Sequence, residues 1–266
     1  MLKKWKILFD YRGILYFELA TKKRSKFKQI VCYLLEFLVY KLANDIHCVS
    51  EKMRTYLQYN YGKKEVKVIP SCIYFNESVY TQDALYQRQL QDTIKFVYSG
   101  GMSEWQCFQE TCRLIKKFQD VGYRCFFTVL TREKETAITH LKKIQMDPEF
   151  FRIKDLLQNQ VPKELSKHHF GMLIRETCGT NKVASPIKFA EYLSAGLIPI
   201  MSEGIGDYSE LVQRENLGIV LKYGEFLPGE RELKEIYQSI KREKLKKILI
   251  ELSWEKKLEE GIFKRW

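Results

Sequence analysis

The decisive stretch is residues 183–201, which run VASPIKFAEYLSAG and then LIPIM. Ser185 is a favourable N-cap residue, and Pro186 suits the first helical position because that position needs no backbone N–H donor. Gly196 lies where a C-terminal cap belongs, and the apolar residues 197–201 have the length of a buried strand. The stretch therefore predicts a loop, a helix of about three turns and a buried strand.

Lys188 is an unusual residue for the first turn of a helix. A capping box would place Glu or Gln there, and a cation opposes the helix dipole. A phosphate at the helix N-terminus would resolve this conflict, since free backbone N–H groups, the dipole and an ammonium all attract an anion. Glu191 follows on the same face, where its carboxylate can bind a ribose diol. An ordinary Lys–Glu pair on a surface helix is the alternative interpretation.

Strands and helices alternate along the chain, which predicts an α/β fold with a Rossmann-like, doubly wound parallel sheet. Such sheets bind ligands beyond the carboxyl ends of their strands. Four candidate residues directly follow predicted strands: Gly100 and Gly101 after 94–98, Arg132 after 125–130, and Arg175 after 171–174. A strand followed by two glycines and a helix also lets backbone N–H groups approach a pyrophosphate.

The pattern Ser-Pro-x-Lys-x-x-Glu-Tyr-Leu at 185–193, with Ala-Gly and a Pro-containing strand after it, resembles the donor-binding motif of the GT-B glycosyltransferases. The form is similar to family 4, the glycosyl transferases group 1, in its polysaccharide-synthesis branch. Residues 43–53 and 66–73 resemble two segments near the end of that family's first domain. The resemblance implies a retaining hexosyltransferase that moves a sugar from a nucleotide diphosphate sugar to a saccharide or lipid-linked saccharide acceptor, without a metal or a cofactor.

The resemblance also implies roles for individual residues. Glu191 would hold the ribose, while Ser185, Pro186 and Lys188 would hold the sugar and the diphosphate. The Gly100 and Gly101 amides, the helix terminus at Ser185 and Lys188 would stabilise the charge of the departing nucleotide diphosphate, with Arg175 as the next candidate. On the acceptor side, Asp10 is the candidate catalytic residue, with a surface ion pair to Arg12 as the equal alternative.

Two departures from the family's pattern shift these roles. Members of the family carry an Arg and a Lys after the glycine pair, where this chain has Met102-Ser-Glu. Neutralisation of the phosphates would then come from Lys188, with Arg175 or Arg132. The family's second Glu is replaced by Val183, so Thr180 or Asn181 would contact the sugar instead.

The resemblance predicts three segments: a partial acceptor-side domain at 1–75, a donor-binding domain at 76–253, and a C-terminal helix at 254–266 that crosses back to the first part. A complete GT-B first domain is longer than residues 1–75. A separate subunit that supplies the missing half is therefore an expected partner, with truncation as the other explanation.

Composition favours an anionic partner. The net charge is +12 and the isoelectric point is about 9.2, which suits nucleotide diphosphates, nucleic acid or an acidic membrane surface. Aromatic and basic residues do not interleave as in single-strand binding platforms, which argues against nucleic acid. Five basic residues in 22–28 precede an amphipathic helix expected at 27–42, and they form either a patch for anionic lipid or a solvated face.

The seven cysteines contain no CxxC pair and no metal-ligand spacing, which predicts reduced thiols and no metal site. The chain start lacks a signal peptide, so we expect a cytoplasmic protein, with peripheral attachment to the inner membrane face as an option. Two other functions stay open. One is a non-catalytic nucleotide-sugar-binding subunit or truncated remnant. The other is a nucleotide-sugar 2-epimerase, for which the first domain is too short.

Overall fold

The computed structural model describes residues 6–22, 24–75, 93–222, 224–240 and 242–261. Two compact units are present. The first contains the described residues up to Ser71 together with Thr177–Ser185 and Gly204–Tyr208. The second contains Cys72–Glu176, Pro186–Glu203 and the described residues from Ser209 onward.

Helices and strands alternate as the sequence predicts. In chain order they are β1 (Leu8–Tyr11), α1 (Leu15–Thr21), α2 (Lys26–Leu42), β2 (Asp45–Cys48), α3 (Glu51–Tyr61), β3 (Lys67–Val68), β4 (Ile94–Ser99), α4 (Phe108–Asp120), β5 (Cys125–Leu130), α5 (Lys134–Lys143), β6 (Phe151–Lys154), α6 (Val161–Leu165), β7 (Phe170–Leu173), α7 (Gly179–Lys182), α8 (Ile187–Ser194), β8 (Ile198–Ser202), α9 (Tyr208–Glu215), β9 (Ile219–Leu221), α10 (Glu230–Ser239), α11 (Arg242–Glu251) and α12 (Trp254–Glu259).

The first unit is built on a parallel sheet of three strands in the order β1-β2-β3. Ser50 accepts a hydrogen bond from the Met53 amide at 3.0 Å and so caps α3, as its position before the helix predicts. The core of this unit is rich in tyrosine: Tyr11, Tyr40 and Tyr61 are almost fully buried.

A carboxylate also lies in this core. Glu36 is 8% exposed, and its oxygens accept hydrogen bonds from the Leu15 amide at 2.7 Å and from the Tyr61 hydroxyl at 3.4 Å. Burial raises the pKa of Glu36, and these hydrogen bonds oppose that shift. Glu36 thus fixes α2 to the start of α1 and to the end of α3.

The second unit is built on a parallel sheet of six strands in the order β6-β5-β4-β7-β8-β9. Phe96, Phe127 and Phe170 lie on its central strands and are fully buried. The expected doubly wound α/β fold is therefore confirmed. Strands β4, β5 and β6 form one half of the sheet, and β7, β8 and β9 form the other half.

Several predicted segments lie outside the described residues. These are residues 76–92 at the start of the expected donor-binding domain, and Phe263 and Trp266 at the end of the expected C-terminal helix, of which α12 is the described part. Within the described residues, no helix combines the length and the apolar character needed to cross a membrane.

Candidate functional site

The strand order of the second unit creates a crevice at the carboxyl ends of β4 and β7. The strands run parallel, but the strand order proceeds from β4 toward β6 and from β7 toward β9. The loops that follow β4 and β7 therefore leave in opposite directions. Their ladder pairs Phe96 with Phe170 and Val97 with Gly171. Beyond those pairs, a side chain from α8 connects the two strands.

That side chain is Tyr192, which has no solvent exposure. Its hydroxyl accepts a hydrogen bond from the Ser99 amide at 3.0 Å and donates one to the Met172 carbonyl at 3.2 Å. The ring lies directly over Gly171, where an added Cβ would be 2.4 Å from a ring carbon. Gly171 is therefore the residue that lets α8 pack close to the strand ends.

A pocket of about 330 Å³ opens next to this crevice. The loops after β4, β5 and β6 line it, together with Lys188 in the first turn of α8. The structure brings together four of the residues predicted for a donor site: Gly100, Gly101, Arg132 and Lys188. Two acids that the sequence analysis did not single out, Glu133 and Asp155, line the same pocket.

Lys188 and Glu191 form an ion pair within α8. The Lys188 Nζ lies 2.7 Å from Glu191 Oε2, which is the Lys–Glu pair of the alternative interpretation, and the two side chains are only 24% and 13% exposed. The side-chain Nε2 of Gln158 donates a hydrogen bond to the other carboxylate oxygen, Glu191 Oε1, at 3.5 Å. The ammonium lines the pocket while its partner carboxylate is held from two sides.

The loop after β4 uses much of its hydrogen-bonding capacity internally. The Gly100 amide donates to the Leu130 carbonyl at 3.1 Å. The expected contact of this amide with a phosphate stays a prediction. The Tyr98 hydroxyl donates to the Gly101 carbonyl at 2.5 Å and fixes the turn. The next amide, that of Met102, donates to Glu133 Oε1 at 2.9 Å. A carboxylate thus accepts the backbone hydrogen bond that a phosphate oxygen could accept.

The start of α8 differs from the prediction by one residue and by its capping. The helix begins at Ile187, Pro186 is the N-cap, and no side chain caps it. The Ser185 hydroxyl instead accepts from the Ser71 amide at 2.9 Å and lies 2.8 Å from the Tyr208 hydroxyl. Tertiary partners have replaced the local capping bond.

Arg175 follows β7 and is anchored through its backbone. Its amide donates to the Ser202 hydroxyl at 2.8 Å, and that hydroxyl donates back to the Arg175 carbonyl at 2.7 Å. Burial raises the pKa of both Tyr98 and Tyr192, and the Arg175 charge opposes both shifts.

Three further candidates belong to the first unit. Asp10, at the end of β1, pairs with Arg12 at 2.7 Å, and both side chains are exposed. Asn181 has no solvent exposure, and its backbone carbonyl accepts a hydrogen bond from the Gly206 amide. Its contact with a sugar stays a prediction. The Thr180 hydroxyl lies 3.3 Å from that of Thr21.

The pocket is not strongly charged, because Arg132 and Lys188 are matched by Glu133 and Asp155. Among the residues that the structure describes, no cluster of His, Cys, Asp and Glu could hold a metal ion. Two of the residues missed at the sequence level carried a signal. Glu133 comes right after a predicted strand-end residue, and Tyr192 lies inside the recognised Glu-Tyr-Leu motif.

Neither a protein-family model nor a curated protein sequence matches this chain. Solved structures do. Sucrose-phosphate synthase from Thermosynechococcus elongatus matches with a TM-score of 0.69 at 12% identity, over 99% of this chain and 68% of that one. TarM from S. aureus matches with a TM-score of 0.69 at 9% identity, over 98% of this chain and 50% of that one. Anabaena HepE, in complex with UDP and glucose, matches with a TM-score of 0.61 at 13% identity, over 93% of this chain and 67% of that one.

These likenesses define the class of fold. The chain has the Rossmann-like fold of the GT-B glycosyltransferases, and it spans between half and about two thirds of the length of the structures that it matches.

Proposed function

We propose that this chain is a glycosyltransferase that moves a hexose from a nucleotide diphosphate sugar to a saccharide or lipid-linked saccharide acceptor, with retention at the anomeric carbon and without a metal. The observation that carries the proposal is the pocket at the carboxyl ends of β4, β5 and β6, which Lys188 lines together with Gly100 and Gly101. The GT-B fold and the resemblance of residues 185–193 to the family 4 motif support it.

The chemical task is to stabilise charge on the leaving group. The bond between the anomeric carbon and the diphosphate oxygen breaks, and its electron pair stays on that oxygen. The acceptor hydroxyl oxygen bonds to the anomeric carbon on the same face, and its proton passes to the departing diphosphate oxygen. The Lys188 ammonium, the N-terminus of α8 and Arg132 would face the developing negative charge, with Arg175 nearby, and such preorganised charges lower the barrier.

The ribose of the donor would lie beside the pocket, against Glu191, which does not itself line it. Glu191 lies one turn beyond Lys188 and is held by two side chains, which would fix it for a ribose diol. The structure similar to this chain that contains UDP and glucose makes a uridine diphosphate sugar the first donor to test. Asp10 stays a prediction for the acceptor side. We further propose a role in cell-surface polysaccharide synthesis, and a partner or longer chain that completes the first domain.

A second candidate function is a subunit or remnant that binds nucleotide sugar without turning it over. The observation that favours it is Glu133, whose carboxylate accepts the Met102 amide beside the glycine pair. A diphosphate would meet this negative charge, and the chain lacks the Arg and Lys that family 4 carries after its glycines. Weak donor binding without transfer would follow.

Binding and turnover together separate the two functions. UDP and GDP affinity would be measured by calorimetry, and release of UDP or GDP from a panel of their hexose conjugates would be followed by chromatography. We expect Lys188→Ala to weaken UDP or GDP binding at least about tenfold. Lys163→Ala removes an exposed ammonium in α6 and is the matched control.

Each outcome has one meaning. Binding with turnover that Lys188→Ala abolishes would establish the transferase, and binding without turnover would establish the subunit. Absence of nucleotide binding by the parent chain would refute both, and equal binding and turnover by Lys188→Ala would refute the assigned site.

A further inference from the structure

Helix α2 of the first unit exposes a continuous row of apolar side chains. Phe27, Ile30, Leu34, Leu38 and Leu42 are 76%, 56%, 57%, 52% and 61% exposed. They recur every three or four residues along a helix of 17 residues, which is roughly 25 Å long. Large contiguous apolar surfaces are rare on folded proteins and mark sites of interaction.

The orientation of this helix is the reverse of an ordinary surface helix, which buries its apolar stripe and exposes its polar face. In α2 the buried positions are Glu36 and Tyr40. The Glu36 carboxylate bonds to the α1 amides, and the Tyr40 hydroxyl donates to the Gly62 carbonyl at 2.8 Å. The unit thus holds α2 through Tyr40, which is part of its hydrophobic core, and through the hydrogen bonds of Glu36, and it leaves a second apolar side of the helix facing outward.

Basic side chains lie at both ends of this row. Lys22, Arg24, Lys26 and Lys28 are exposed at the N-terminal end, and Lys41 is exposed at the other end. Over the described residues from 22 to 42, Glu36 is the single acid, and it is buried. The apolar row thus has exposed cations at both of its ends.

We propose that the exposed face of α2 docks in the plane of an anionic phospholipid surface. The apolar row would enter the boundary between headgroups and acyl chains, and the flanking lysines would contact phosphate groups, as in interfacial amphipathic helices. A second copy of this chain fits less well, because a two-fold interface would bring one basic end of α2 against the other.

Vesicle sedimentation of the full chain tests this surface. Vesicles would contain phosphatidylcholine alone or phosphatidylcholine mixed with phosphatidylglycerol. We expect the protein to sediment with the mixed vesicles only, and binding to fall as salt is raised, since exposed charges are screened.

Matched variants separate the two parts of the surface. Leu34→Ser with Leu38→Ser should lower the partition coefficient at least about tenfold, because two leucine side chains would no longer be buried in the lipid. Tyr59→Ser, at an 88% exposed tyrosine of α3, is the apolar control. Lys26→Gln with Lys28→Gln should lower binding several-fold at low salt. Lys142→Gln with Lys143→Gln, on exposed positions of α5, removes the same charge elsewhere.

Circular dichroism would verify that each variant is folded. Absence of vesicle binding by the parent chain would overturn the proposal, as would unchanged binding by the folded leucine variant. Light scattering would measure the oligomeric state of the parent chain and of the leucine variant. A parent dimer that becomes monomeric in the leucine variant would assign the face to a second copy and overturn the lipid surface.

Discussion

The two units bury polar groups for different purposes. In the first unit, the hydroxyls of Tyr11 and Tyr61 bond to the Glu36 carbonyl and carboxylate, so the polar atoms connect one helix to its neighbours. In the second unit, Tyr192 connects a helix to the strand ends that form the pocket. Buried polarity thus shapes the architecture of one unit and the candidate site of the other.

This comparison predicts its largest effect at Gly171, where a helix of the second unit packs against β7. Gly171→Ala would place a Cβ 2.4 Å from the buried Tyr192 ring. Because neither β7 nor α8 can move away without losing packing, we expect a loss of about 3 kcal/mol in the free energy of unfolding, measured by urea denaturation. Gly229→Ala is the control, because its Cβ would meet only the flexible Tyr123 side chain, at 3.1 Å. Equal stability of Gly171→Ala and the parent would show that α8 is not constrained there.

A histidine of the second unit predicts how its stability depends on pH. His168 is 3% exposed, with Nε2 2.7 Å from the Thr128 hydroxyl, and burial lowers its pKa to about 4. The unfolded chain binds the proton more readily, so stability is full above about pH 6.5 and declines as pH falls toward 4, by about 3 kcal/mol in all. His168→Gln should remove that part of the pH slope in urea denaturation. An unchanged slope would contradict the lowered pKa.

Hydroxyl removal compares the units directly. Tyr192→Phe leaves the Ser99 amide and the Met172 carbonyl without this partner, and we expect a loss of about 2 kcal/mol together with weaker nucleotide binding. Tyr40→Phe in the first unit loses one bond to the Gly62 carbonyl and should cost about 1 kcal/mol, with nucleotide affinity unchanged. Equal effects of both variants on affinity would remove the distinction between the units.

Glu36 predicts a pH dependence of opposite sign in the first unit. Its raised pKa means that the folded state favours the protonated carboxyl, so the stabilising contribution is present at low pH and is lost as pH rises through the folded pKa. Glu36→Gln retains an acceptor for the Leu15 amide and should change stability at neutral pH by about 1 kcal/mol. Hydrogen exchange of α1 amides at several pH values would measure it, and a parent slope of the same sign as that of His168 would contradict the assignment.

Local patterns predicted the elements well, and tertiary contacts account for the errors. The alternation of β and α segments predicts the fold class. Ser50 caps α3 as expected because its oxygen accepts from the Met53 amide while its O–H donates to the Val183 carbonyl. Ser185 has an equally favourable position in the sequence, yet its hydroxyl bonds to Ser71, which is far away in the chain. No spacing rule encodes such a contact.

The site shows the same division. Gly100, Gly101, Arg132 and Lys188 could be placed together because the carboxyl ends of parallel strands share one edge of a sheet. The sequence could not show that Glu133 returns to the Met102 amide, or that Tyr192 lies on Gly171, because both contacts depend on how a loop and a helix pack. The Glu133 contact sets the charge near a bound ligand, and the Tyr192 contact sets how close α8 lies to the strand ends.

Glu133 therefore gives the smallest and most specific prediction for the second unit. Glu133→Gln retains an oxygen for the Met102 amide and removes a negative charge from the pocket, so UDP should bind about fivefold tighter, near 1 kcal/mol. Glu135→Gln, at an exposed position of α5, removes the same charge outside the pocket lining and should leave the affinity unchanged. Weaker binding by Glu133→Gln would mean that the carboxylate contacts the ligand favourably, as it would with a ribose hydroxyl, and that the phosphates lie closer to α8.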